Sequence, residues 1–173
     1  MRITVTRIDT RRYATVVERD DGVVLSVPGY GFMRALPHDL AHWVVESMLR
    51  LDHGFWGSIA SGARLRGMQL LQGRQKPHAA ERSKEVEKTN ASFLNEAERL
   101  VACFETLAAQ HAGAATGRSE KAKVMLRRRE KNLTSAEIAK VCTAWSALQQ
   151  RWDALAVGDM MRLDWPAPRA GRR

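Results

Sequence analysis

Apolar and polar side chains alternate at the start of the chain. In Arg2-Ile3-Thr4-Val5-Thr6 the apolar residues fall at every second position, the period of a strand with one buried face. Asp9-Thr10-Arg11-Arg12 predicts a turn, and Tyr13–Glu18 a second strand rich in β-formers. Asp20-Asp21-Gly22 predicts a tight turn into Val23-Val24-Leu25-Ser26-Val27, which Pro28-Gly29 ends. The spacing then changes. Pro37 suits the first position of a helix running from His38 to about Asp52, with Gly54 as its stop. Leu40, Ala41, Val44, Val45, Met48 and Leu51 share one sector of that helix, which is expected to pack on the sheet. A loop or short helix of small residues (54–63) follows, then a basic, Gly-containing stretch to Pro77.

Residues 81–110 predict a long helix, because Phe93, Ala97, Leu100, Phe104 and Leu107 recur at spacings of four and three. A second long helix starts at Thr134, where Glu137 completes a capping box. Its seam is Ile138, Val141, Trp145, Leu148, Trp152 and Leu155, and Gly158 closes it. Two such stripes predict an antiparallel helix pair. With residue 111 opposite 134, Cys103 falls opposite Cys142, and both are expected as free thiols. Met161, Leu163 and Trp165 alternate again, predicting a strand that returns to pair with the N-terminal meander. The expected class is α+β: a small antiparallel sheet made of a three-strand meander plus a C-terminal strand, one packed helix, and a long antiparallel helix pair. One domain is expected over 1–168, with a basic disordered tail at 169–173.

Composition narrows the class. The 173 residues are 45% hydrophobic and 27% charged, which excludes a disordered chain. No apolar run approaches the length that spans a bilayer, and the first residues lack a signal-peptide core. A cytoplasmic protein without membrane contact is therefore expected. Two cysteines exclude a disulfide scaffold and a cysteine-based zinc site.

The net charge of +9 is uneven. Residues 64–84 carry 6 basic and 1 acidic side chain, and residues 118–131 carry 7 and 2. Both segments are expected to join regular elements. Arg127, Arg128, Arg129 and Lys131 form the densest run, a candidate contact for nucleic acid or another partner. Neither segment contains an aromatic residue, so no stacking platform for bases is present, and a solvated surface explains the charge equally simply.

His38-Asp39-Leu40-Ala41-His42 is the one local motif with metal chemistry. Two histidines four apart share a helix face and can share a zinc-class ion, with Glu46, one turn on, as the candidate third ligand. The helical wheel places His38, His42 and Glu46 at the edge and back of the helix, away from the apolar sector. A stripe facing outward gives no cavity unless the later helices cover it. Asp39 is explained by the helix dipole, which favours an anion in the first turn. Ser58 and Ser61 lack a neighbouring His and Asp pattern, so nucleophilic catalysis is unsupported. Trp145, Trp152 and Trp165 sit at core positions, whereas Trp43 and Trp56 are candidates for a contact surface.

Leu36-Pro37-His38-Asp39-Leu40-Ala41-His42-Trp43-Val44-Val45-Glu46, with Gly54-Phe55-Trp56-Gly57 and the ending Arg151-Trp152-x-x-Leu155-x-x-Gly158 to Asp164-Trp165-Pro166, resembles a family of small bacterial proteins without assigned activity. The resemblance implies a single domain over most of the chain and a bacterial origin. It implies no site residue. The residues favour a non-enzymatic interaction or binding module with an unidentified protein partner and no cofactor. The alternatives are sequence-independent nucleic-acid binding through the basic segments, and a zinc-dependent hydrolase built on His38 and His42.

Overall fold

The computed structural model describes residues 1–29, 36–74, 77–111, 118–127 and 132–166. Strands β1 (Arg2–Arg7), β2 (Tyr13–Glu18), β3 (Val24–Val27), β4 (Gln69–Gln72) and β5 (Met160–Asp164) form one antiparallel sheet in the order β4-β3-β2-β1-β5. The alternation seen in the sequence becomes a single buried face. Ile3 and Val5 of β1, Tyr13, Thr15 and Val17 of β2, Leu25 and Val27 of β3, and Met161 and Leu163 of β5 all point into it. The C-terminal strand returns as its alternation predicts, pairing Ile3 with Leu163 and Val5 with Met161.

Strand β4 was not predicted. Gln69-Leu70-Leu71-Gln72 is exposed throughout and has no alternation to reveal it; its backbone bonds to β3 make it a strand. Gly73 ends it at φ +99°, and a Cβ there would meet the Gly22 carbonyl oxygen at 2.6 Å, so only glycine fits.

The helices are α1 (His38–Leu49), α2 (Phe55–Ala60), α3 (Ala79–His111), α4 (Arg118–Met125) and α5 (Ser135–Asp153). Helix α1 stops earlier than expected, at Arg50, whose left-handed φ of 55° turns the chain while its N–H bonds the Glu46 carbonyl. At the start of α5 the Thr134–Glu137 capping box is complete in both directions. The 118–131 segment is not merely a joint, since it contains α4.

The packing differs from a simple helix pair on a sheet helix. Helix α1 packs against α2, α3 and α5, while α3 and α5 also touch each other. Leu40, Ala41, Val44 and Val45 are buried as their sector predicts, but so are Asp39, His42 and Glu46. The face read as outward is covered. The seam of α3 begins at Ala97 and runs through Leu100, Phe104 and Leu107; Phe93 is 44% exposed and lies beside the His53 ring. Cys103 is buried, Cys142 is partly buried, and neither is in a disulfide.

Candidate metal centre

Glu46 is the organising residue. It is fully buried at the last turn of α1, where its two oxygens reach α2. Helix α2 begins after Gly54, which has no side chain to cap it. Glu46 takes that role across space: Oε1 accepts the Phe55 N–H and Oε2 the Trp56 N–H, each at 2.9 Å. The same Oε1 lies 2.8 Å from His42 Nδ1. A carboxylate only accepts, so His42 donates from Nδ1.

That bond fixes the His42 ring and turns Nε2 toward α3. His42 is only 2% exposed, and its Nε2 has no hydrogen bond of good geometry. It stands 3.3 Å from Oε1 of Glu98 on α3. One turn earlier on α1, His38 packs its ring edge-to-face on His42 with centroids 4.6 Å apart. His38 Nε2 lies 3.4 Å from Glu98 Oε2, and its Nδ1 lies 3.9 Å from Oε1 of Glu105. Both imidazoles thus present Nε2 to one carboxylate and have another carboxylate behind Nδ1. One ligand atom from each of His38, His42 and Glu98 lies within 4.8 Å of the others.

The spacing suits a small divalent ion. Zinc bonds of about 2.0–2.1 Å arranged tetrahedrally put neighbouring ligand atoms roughly 3.3–3.4 Å apart. Each Nε2 lies near that distance from a different oxygen of Glu98, and the three-atom set spans up to 4.8 Å, so the side chains would draw together around an ion. Carboxylates behind the imidazole N–H groups are the usual arrangement for orienting histidine ligands. The same groups form an ion-pair network. Glu105 first, and then Glu98, raise the His38 pKa to about 9. Burial pulls the His42 pKa down, but Glu46 and Glu98 outweigh it and the net direction is upward. The close approach of His38 first, and then His42, holds the Glu98 carboxyl well below the usual carboxylate range.

A cavity of about 310 Å³ opens beside the cluster. His38, Asp39, His42, Arg66 and Glu98 supply its polar wall, and Phe55 and Met68 part of its apolar wall. Asp39 is not a first-turn surface anion. It is buried, accepts the Thr15 hydroxyl at 2.9 Å through Oδ2, and burial raises its pKa against the Thr15 bond.

The structure revises the sequence-derived site. His38 and His42 come together as expected, but Glu46 is not the third ligand, because its oxygens are committed to α2 and to His42. Among the described residues, Glu98 is the carboxylate that the fold brings beside both imidazoles, and spacing along α1 gave no sign of it. A signal existed on α3, where Glu98 and Glu105 are one heptad apart and flank the seam residues Ala97 and Phe104. Trp56 is not a contact-surface residue: it is fully buried and donates Nε1 to the Asp39 carbonyl at 3.0 Å. Trp43 is partly buried. Arg127 is exposed and donates to the Ser135 hydroxyl at 3.1 Å. Arg128, Arg129, Lys131 and the tail lie outside the described residues.

Comparison with protein-family models, with curated proteins and with solved structures gives no match. The fold and the site geometry therefore carry the functional reading.

Proposed function

We propose that this protein binds one divalent transition metal of the zinc class through His38, His42 and Glu98 and uses it for hydrolysis. The observation that carries the reading is the buried His42: its Nδ1 is fixed by Glu46, and its Nε2, without a good hydrogen bond, faces His38 and Glu98 at a cavity. The Nε2 atoms of His38 and His42 converge on the Glu98 carboxylate, and a divalent ion would take the place of the protons that hold this network together. Three protein ligands leave a fourth position free, the hallmark of a catalytic rather than a structural zinc site. An ion held by His38, His42 and Glu98 would supply Lewis acidity for hydrolysis.

The chain's own residues supply the remaining parts. Asp39 lines the cavity and is the carboxyl group available there for proton transfer. Val27, Phe55, Leu65 and Met68 provide apolar surface for the body of a substrate. Glu46 and Glu105 keep the imidazoles oriented.

The test is metal titration of chelator-treated, untagged protein, followed by hydrolysis assays on an aryl ester, a phosphate monoester, a phosphodiester and a peptide amide. The expected result is one zinc ion per chain, lost in His42→Ala and Glu98→Ala, with turnover of one substrate that depends on the metal. Glu98 is 57% exposed, so its variant tests the site without disturbing the core. Binding of metal without turnover leaves a non-enzymatic metal-binding module. Metal uptake unchanged in both variants removes the site.

A further inference from the structure

The cavity beside the histidine cluster joins the candidate ligands to a wall of apolar side chains, and the two meet at His42. The Phe55 ring lies 5.5 Å, centroid to centroid, from the His42 ring. Val27, at the end of β3, and Leu65 and Met68 continue the apolar wall. The turn that carries Leu65 and Met68 is fixed. The Met68 N–H donates to the Leu65 carbonyl at 3.1 Å, and Gly67 between them has a φ of +86°. A Cβ on Gly67 would meet Pro28 Cγ at 3.0 Å, so the turn sits tightly on the residue that follows β3. Packing thus builds this wall in advance of any substrate.

The polar lining is selective as well. Asp39 and Glu98 bring two carboxylates, against the guanidinium of the exposed Arg66. A phosphate dianion entering the cavity meets those carboxylates at close range, whereas an uncharged group meets no such repulsion. The number of ions points the same way. Among the described residues, His38, His42 and Glu98 are the one group that can hold a metal, so the site takes a single ion. Phosphoryl-transfer sites commonly use two ions to clamp the attacking and leaving oxygens, while single-ion sites serve acyl hydrolysis. A volume of about 310 Å³ is at the small end for ligand cavities and suits a small substrate.

We infer that the substrate is a small, uncharged acyl compound, an ester or amide whose apolar acyl group lies along Phe55, Leu65 and Met68 with its carbonyl at His38, His42 and Glu98. The inference rests on the metal-dependent hydrolase reading and names its substrate class. Water is the only co-reactant. Its oxygen bonds the acyl carbon, the bond from that carbon to the leaving oxygen or nitrogen breaks, and the electron pair departs with the leaving atom. That atom takes up the proton the water gives up, and Asp39 is the group in the wall that can carry it. Leu65 and Met68 then set the length of acyl group accepted, as the walls of apolar pockets do.

The test uses the full chain, first titrated with zinc and then assayed with one equivalent bound. The substrates are p-nitrophenyl esters from acetate to decanoate, with p-nitrophenyl phosphate beside them. Calorimetry follows binding of the matching alkyl hydroxamates, which carry the same acyl chain and chelate zinc. Leu65→Trp fills the cavity and Leu65→Ala enlarges it; Leu65 is only partly buried, and urea unfolding checks that both variants fold. Expected is a kcat/KM and a hydroxamate affinity that rise roughly threefold per methylene to an optimum. That optimum moves to shorter chains in Leu65→Trp and to longer ones in Leu65→Ala, with zinc uptake unchanged. Turnover of the phosphate instead of the esters, rates and affinities that ignore chain length, an optimum that stays put in a folded variant, or zinc uptake without turnover of any ester overturns the inference and leaves the metal site standing. Absence of zinc uptake by the wild type overturns the hydrolase reading, and the inference with it.

Discussion

The Glu46 carboxylate is bonded to His42 Nδ1 at 2.8 Å while it caps helix α2 through the N–H groups of Phe55 and Trp56. One buried side chain therefore ties the orientation of a candidate metal ligand to the start of a neighbouring helix. Glu46→Ala removes the cap and leaves the His42 N–H without its acceptor. The expected cost is about 3–5 kcal/mol of folding stability, the range for breaking a buried pair. Urea unfolding measures it, and a loss below about 1 kcal/mol, the size of an ordinary cap, contradicts the assignment. Glu46→Gln, which keeps the volume, should weaken zinc binding by about 10–100-fold.

Gly54 makes room for that carboxylate. Its φ of −72° is open to any residue, so conformation does not require glycine here. Space does: a Cβ would sit 2.6 Å from the Glu46 carboxyl carbon. Gly54→Ala is expected to destabilise by about 1–3 kcal/mol, as overpacking does, and to lower zinc affinity together with stability. Wild-type unfolding and wild-type affinity in this variant would contradict the close approach.

The metal-free protein should respond to pH through His38. Its pKa is raised from 6.5 to about 9 in the folded state, so the charged form is favoured by folding. The stabilisation is complete below pH 6.5 and is lost as pH rises through 9. Thermal unfolding of chelated protein from pH 6 to 10 should show that decline, and His38→Gln should flatten it. Zinc affinity should move the other way, rising toward pH 9, because the imidazoles must lose their protons to bind. Parallel stability profiles for the variant and the wild type would refute the coupling.

Trp56 should behave as a core residue. Trp56→Phe keeps most of the ring but leaves the Asp39 carbonyl without its Nε1 donor. The expected cost is about 1–3 kcal/mol, that of a buried group left unsatisfied. Unchanged stability would mean that the indole N–H does not hold the α1 backbone.

Local periodicity carried most of the architecture. Ile3, Val5 and Val17 alternate, and Met161 and Leu163 repeat the pattern, so four strands and their shared face were legible. The Thr134–Glu137 box marked the start of α5 to the residue. Strand β4 was not legible, because Gln69–Gln72 is exposed and owes its conformation to β3. The site divided in the same way. His38 and His42 are four apart on one helix, a local relationship that the sequence displays. The helical wheel of α1 could not show that α3 covers its other face, since that depends on tertiary packing. Hence His42 read as a surface residue, Glu46 as a ligand, and Glu98 went unnoticed among the many charges of α3.

The central claim is that His38, His42 and Glu98 hold one metal ion. X-ray absorption at the zinc edge, on protein loaded with a single equivalent, tests it most directly. The account predicts two imidazole nitrogens and a carboxylate oxygen at about 2.0–2.1 Å, with one imidazole lost in His42→Ala. A spectrum of oxygen ligands without imidazole scattering, or one unchanged in the variant, would contradict it.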